Sequence, residues 1–178
     1  MLRWLLILLA SIGQAAPLVL VDSGGAKQTP LAKDDRKATV LVFLMSDCPV
    51  ANAMAPELSR MSTEFGARGV RFFAVYASET AKEIARHRAE YKLPFPGLLD
   101  PKCQLARSAG ATRVPEAAVY ASDGKLLYRG RIDDRAIKLG RMKPAPAKRD
   151  LRDALDAVLA GKKPMPAATE AVGCYLPL

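Results

Sequence analysis

The stretch that decides the fold is Thr39-Val40-Leu41-Val42-Phe43-Leu44-Met45-Ser46-Asp47-Cys48-Pro49. Its first seven positions carry no charge and are rich in β-branched residues, as in a strand buried on both faces of a sheet. Pro49 suits the first position of a helix, where its missing N–H costs nothing. Beyond it Met54, Leu58, Met61 and Phe65 recur at spacings of four, three and four, which draws one apolar stripe along a helix. Pro56 falls inside this helix and is expected to kink it. Gly66 and Gly69 are expected to end it. A buried strand therefore runs into an amphipathic helix, with a cysteine at the junction.

Working outward, Leu18 to Val21 reads as a short strand ended by the turn Asp22-Ser23-Gly24-Gly25,. Val70 to Ala77 reads as another buried strand. Thr80 to Lys92 reads as a charged helix with Ile84 and Tyr91 inside, Phe95 to Leu99 as a short extended piece, and Cys103 to Ala109 as a brief helix closed by Gly110. Ala117 to Tyr120 and Lys125 to Arg129 flank Ser122-Asp123-Gly124, a strong hairpin signal. Asp150 to Ala160 is amphipathic through Leu151, Leu155, Val158 and Leu159. This alternation predicts an α/β fold, a central mixed sheet flanked by helices.

The N-terminus stands apart. Arg3 precedes the apolar run Trp4 to Ala10, and small residues follow at Gly13, Ala15 and Ala16. This is the layout of a secretory signal peptide, and the run is short for a bilayer span. An uncleaved anchor is the alternative. The expected organisation is a signal peptide over 1–16, one domain over 17–160, and a Pro-rich extended tail over 161–178. After cleavage no stable membrane span is expected, and the location is the periplasm or the extracellular space.

Composition is that of an ordinary globular chain, 50% hydrophobic and 25% charged,. The net charge of +9 raises the question of nucleic acid. The densest basic stretch, Arg129 to Arg149, lacks interleaved aromatics for stacking on bases. It reads as a solvated loop, and no nucleic-acid partner is expected. An oxidising compartment permits disulfides, but Cys48, Cys103 and Cys174 are too few for a disulfide scaffold and leave one thiol over,.

Cys48 is the centre of the chemical reading. A helix start offers partial positive charge and unpaired N–H groups, which favour a thiolate, while neighbouring Asp47 opposes a second anion. The competing reading is a small buried cysteine acting as a hydrophobe. His87, the single histidine, lies on a very polar helix and reads as a surface residue. One histidine does not make a metal site, which takes three or four ligands, and no glycine-rich phosphate loop appears. No metal or cofactor is expected. Asp133-Asp134 reads as a locally paired acidic couple.

The segment Cys48-Pro49-Val50-Ala51-Asn52-Ala53-Met54-Ala55-Pro56-Glu57-Leu58 resembles the active-site helix of thioredoxin-like proteins. Val114-Pro115 resembles the cis-proline of that fold, which faces the redox cysteine and binds a partner's backbone. The inserted helix between Cys48 and Pro115, the D-C-P-V-x-N start, the R-G-R-I-D-D-R segment at Arg129 to Arg135 and the late Gly173-Cys174 are similar to exported bacterial redoxins, the alkyl hydroperoxide reductase/thiol-specific antioxidant branch. The resemblance spans about Leu18 to Ala160 and implies a thioredoxin-like fold with an N-terminal strand extension. It implies Cys48 as nucleophile, Pro49, Arg113, Val114 and Pro115 as substrate-binding residues, and Cys174, or less readily Cys103, as resolving thiol.

Two departures bear on function. A local dithiol would need cysteine where Ala51 stands, and the peroxiredoxin Thr and Pro positions hold Met45 and Leu41. The leading expectation is a thiol–disulfide oxidoreductase acting on protein or small-molecule thiols and disulfides. The alternatives are a thiol peroxidase (an antioxidant that takes peroxides) and a non-catalytic binding module. A Cys103–Cys174 bridge that merely pins the tail is a further option for the pairing.

Overall fold

A computed structural model describes residues 17–178; the signal-peptide expectation for residues 1–16 lies outside them. The elements in chain order are β1 (Leu20–Asp22), β2 (Lys27–Gln28), β3 (Ala38–Leu44), α1 (Pro49–Gly66), β4 (Val70–Tyr76), α2 (Ala81–Glu90), β5 (Gly97–Leu99) and α3 (Gln104–Ala109). There follow β6 (Arg113–Val114), β7 (Glu116–Ala121), β8 (Leu126–Gly130), β9 (Ala136–Lys138), β10 (Arg141–Met142), α4 (Asp150–Leu159) and β11 (Cys174–Tyr175). Among these residues no helix is long and apolar enough to cross a membrane.

The main sheet has the order β2-β1-β5-β4-β3-β7-β8. β3 pairs in parallel with β4, and β4 with β5. β7 joins β3 antiparallel, and β8 extends the hairpin. The sheet is thus mixed, with the β1–β2 hairpin as an N-terminal extension on one edge. All seven residues of β3 are buried, as expected for a strand covered on both faces. Each such apolar side chain contributes roughly 1.5–3 kcal/mol by leaving water. α1 runs unbroken through Pro56 and buries Met54, Leu58, Met61 and Phe65. Ion pairs of α4 with Glu64 of α1 (through Arg152) and with Arg68 of the turn after it (through Asp156) tie α4 beside α1.

Two segments depart from expectation. The basic stretch after Arg129 is not a bare solvated loop, because acids within and beside it organise it. Arg131 pairs with Asp150, Arg135 with buried Asp133, and Lys143 with Asp134, all within 2.8 Å, and β9 and β10 form a small hairpin. The Asp133-Asp134 couple is locally paired as read.

The tail is extended but docked along its length. Arg129 exchanges backbone hydrogen bonds with Ala167 and Thr169 beside β8, and the Thr169 hydroxyl lies 2.7 Å from that of Tyr128. Gly130 makes room for this contact, since a Cβ there would collide with Thr169. Farther on, β11 pairs antiparallel with β6, Cys174 opposite Val114 and Tyr175 opposite Arg113. The Leu176 amide donates to the Thr112 carbonyl at 3.0 Å. At Gly173 any Cβ would run into the Val114 carbonyl, so only glycine allows this approach. A Gly173→Ala substitution is expected to lift β11 from β6 and leave the main sheet intact. Amide hydrogen exchange would show it as lost protection at Leu176 with β3 unchanged; a Leu176 amide as protected as in the parent chain would refute the close-approach argument.

Candidate active site

β3 delivers the chain to Met45-Ser46-Asp47, and Cys48 is the N-cap residue of α1. Proline at the next position keeps Cys48 extended, with φ −81° and ψ 111°, because a residue before proline is pushed out of the helical region. The Cys48 amide donates to the Met45 carbonyl at 3.2 Å, and its carbonyl accepts from the Asn52 amide at 3.0 Å. The side chain is fully buried (0% exposed). Its Sγ donates to the Val114 carbonyl at 3.4 Å, and the Val114–Pro115 peptide is cis. Pro49 is exposed beside it, whereas Val114 and Pro115 are buried. Ala51 is buried on α1, so the helix itself offers no second thiol.

The second thiol comes from the tail. β11 sets Cys174 opposite Val114, and the Cys174 thiol lies against that of Cys48. All three cysteines are free thiols. Hydrogen bonding to Cys48 is the main cause that raises Cys174 above the ordinary thiol range, followed by burial and by the charges of Cys48 and Asp47. Cys103 is elsewhere: it precedes α3, is buried, and donates from Sγ to the Pro177 carbonyl at 3.4 Å. Burial and the Asp100 carboxylate raise its titration as well. The structure thus brings Cys48, Cys174, Val114 and Pro115 together and leaves Cys103 under the end of the tail.

Arg113 lies beside this group but is occupied by the tail. Its guanidinium stacks 3.6 Å from the Tyr175 ring centroid and donates to the Tyr175 hydroxyl and the Gly173 carbonyl. Tyr175 itself is 69% exposed. A cleft of about 540 Å³ lined by Arg113, Glu116, Arg129, Glu170 and Tyr175 runs along this outer side; Cys48 does not line it. Among the described residues, no three His, Cys, Asp or Glu side chains converge on a metal position.

Two contributors escape a sequence reading. Glu116, directly after the cis-proline, is 2% exposed. Its carboxylate accepts from the Thr112 and Arg113 amides at 2.9 and 3.1 Å and from Arg129 at 2.7 Å, which pins the cis-proline loop to β8. Nothing in the sequence marks it apart from other surface glutamates.

His87 overturns the expectation of a surface residue: it is 3% exposed. Its Nδ1 lies 2.8 Å from the Tyr76 hydroxyl and its Nε2 2.8 Å from Asn52 Oδ1. Burial holds its protonation below the usual histidine range and pushes that of Tyr76 up. The polar composition of α2 conceals an inward stripe, Ile84, His87 and Tyr91, at spacings of three and four; that spacing was the available signal.

The thiol contact carries a prediction. In the reduced protein Cys174 should alkylate with a titration above that of a free cysteine, and Cys48→Ser should move it down toward the ordinary range. A Cys174 profile indifferent to the substitution would break the assignment.

Comparison with known proteins agrees with this architecture. The thiol-disulfide oxidoreductase ResA of Bacillus thuringiensis subsp. konkukian (strain 97-27) is 24% identical over 116 residues, covering 65% of this chain and 67% of that protein. The crystal structure of a hypothetical protein from Sinorhizobium meliloti 1021 superposes with a TM-score of 0.79 at 28% identity, covering 90% of each chain. A secreted Mycobacterium tuberculosis disulfide oxidoreductase homologous to E. coli DsbE shares the fold, with a TM-score of 0.55 at 20% identity over 81% of this chain and 95% of that one. Residues 11–142 match the family model for Redoxin; with its thioredoxin-like sheet and helices, the chain belongs to the redoxin family.

Proposed function

We propose that the protein is an exported thiol–disulfide oxidoreductase in which Cys48 is the nucleophile and Cys174 the resolving thiol. The observation that carries this reading is the meeting of the two thiols at the cis Val114–Pro115 peptide. With β11 lifted from β6, the Cys48 thiolate attacks a substrate disulfide, RS–SR′, forming a Cys48–SR mixed disulfide and releasing R′S⁻. Cys174, after giving up its proton, attacks the Cys48 sulfur; the Cys48–Cys174 disulfide forms and RS⁻ leaves. The substrate gains two electrons and the protein loses them. An external dithiol, itself oxidised to a disulfide, restores both thiols. Thioredoxin-like enzymes with a C-x-x-C helix keep both sulfurs on one turn, whereas here the second belongs to a strand.

Thiol and disulfide substrates accord with the name of the Bacillus relative. The secreted description of the mycobacterial structure supports export, which rests on the apolar N-terminal run after Arg3. The peroxidase reading draws less support, with Met45 and Leu41 at its Thr and Pro positions and the Arg113 guanidinium committed to Tyr175. A binding module would give no reason for a second thiol to be set against Cys48 at the cis-proline edge.

Disulfide mapping is the direct test. The mature protein, treated with one equivalent of peroxide and digested without reductant, should yield a peptide pair joined through Cys48 and Cys174. Cys48→Ser should abolish exchange with a model disulfide. A Cys103–Cys174 pair with Cys48 left free, or full exchange by the Cys48→Ser chain, would sink the proposal.

A further inference from the structure

His87 is deeply buried and takes no part in the exchange chemistry, yet both its ring nitrogens are committed. Asn52 has the neighbouring half of the link: its Nδ2 donates to the Ser46 carbonyl at 3.1 Å. The Asn52 Oδ1 must therefore accept, so the hydrogen sits on His87 Nε2, and Nδ1 accepts from the Tyr76 hydroxyl. A single directed chain results, from Tyr76 on β4 through His87 on α2 and Asn52 on α1 to the carbonyl of Ser46. The Ser46 amide is held from the other side by Glu79 Oε1 at 2.7 Å. Ser46 is thus fixed at both its N–H and its C=O, two residues before Cys48. The Asn52 backbone amide closes the first helical turn onto the Cys48 carbonyl.

Cys48 needs such a support. No side chain caps α1 at that point, the chain has just left the sheet, and the direction of Sγ depends on the turn Ser46-Asp47-Cys48. We propose that His87, acting through Asn52, is a positioning residue that aims Cys48 at Cys174. This rests on the Cys48–Cys174 reading above and adds to it the element that sets the geometry. Protein thiols exchange well when the reacting sulfurs are held close and aligned. Losing either member lets the turn swing without touching a sulfur.

The test is the equilibrium constant for the Cys48–Cys174 disulfide against dithiothreitol, read by acid quench and peptide mass spectrometry under conditions where near-UV circular dichroism shows each variant folded. His87→Leu and Asn52→Leu should each lower it roughly fivefold, the effect of about one net hydrogen bond. His87→Gln keeps a donor for Asn52 and an acceptor for Tyr76, and should stay within about twofold of the parent. A merely structural histidine would lower the melting temperature and leave the constant unmoved. Asn52 is only half-buried, so its variant carries the test if His87→Leu does not fold. Amide exchange at Cys48 and Asn52 in the reduced protein gives a readout that needs no disulfide, and both leucine variants should accelerate it. Parent-like constants with parent-like amide exchange in both, or a His87→Gln chain as impaired as His87→Leu, would overturn the proposal. A parent protein that forms no Cys48–Cys174 bond would count against the exchange reading alone, and the amide data would then decide the positioning role.

Discussion

The register between β3 and β7 is the constraint on which the site depends. Phe43, one residue from the end of β3, lies opposite Glu116, the first residue of β7. That pairing brings the turn leading to Cys48 beside the residues leading into β7, which are Val114 and Pro115. A slip of one residue would turn every side chain of β7 to the other face and withdraw the Val114 carbonyl from the Cys48 thiol. The register is held from both sides. Below it, β3 packs in the centre of the sheet with no exposed position. Above it, the Glu116 carboxylate ties two loop amides and Arg129 into one knot. A buried carboxylate is costly unless its oxygens are all used, and here both are.

Much of this was legible in the sequence because it obeys simple periods. β3, α1, β4 and the β7–β8 hairpin follow from runs of apolar residues, a four-three-four stripe and an Asp-Gly turn. The location of Cys48 follows as well, since strand, cysteine and proline succeed each other without a gap. The tail did not yield to the same reading. Its pairing rests on Gly173, which is chosen for lack of a side chain, and on Thr169, Tyr175 and backbone groups, none of which makes a periodic pattern. His87 was hidden for a different reason: a short polar helix buries just one narrow stripe, and a charged composition outvotes it. Glu116 looks like any other glutamate until the fold encloses it.

Polar groups therefore do at this end of the molecule what apolar groups do in its core. The turn before Cys48 is set by Glu79, Asn52 and His87, the cis-proline loop by Glu116, and the start of α3 by Asp100, which accepts from the Gln104 and Leu105 amides. Each satisfies backbone groups that the irregular chain cannot pair internally, and an unpaired buried amide would cost about 1–3 kcal/mol. Directional bonds of this kind fix atoms more sharply than packing does.

The strand that covers Cys48 is encoded near the far end of the sequence, and this orders events in time. At a synthesis rate of roughly 5–20 residues per second, Cys48 leaves the ribosome on the order of ten seconds before Cys174. For roughly the second half of that interval, once Pro115 has emerged, the nascent chain holds the cysteine, the helix start and the cis-proline loop with nothing laid across them. Maturation of the site is then its closure from the C-terminal side, and any quality-control thiol chemistry that meets the growing chain meets an open Cys48 first.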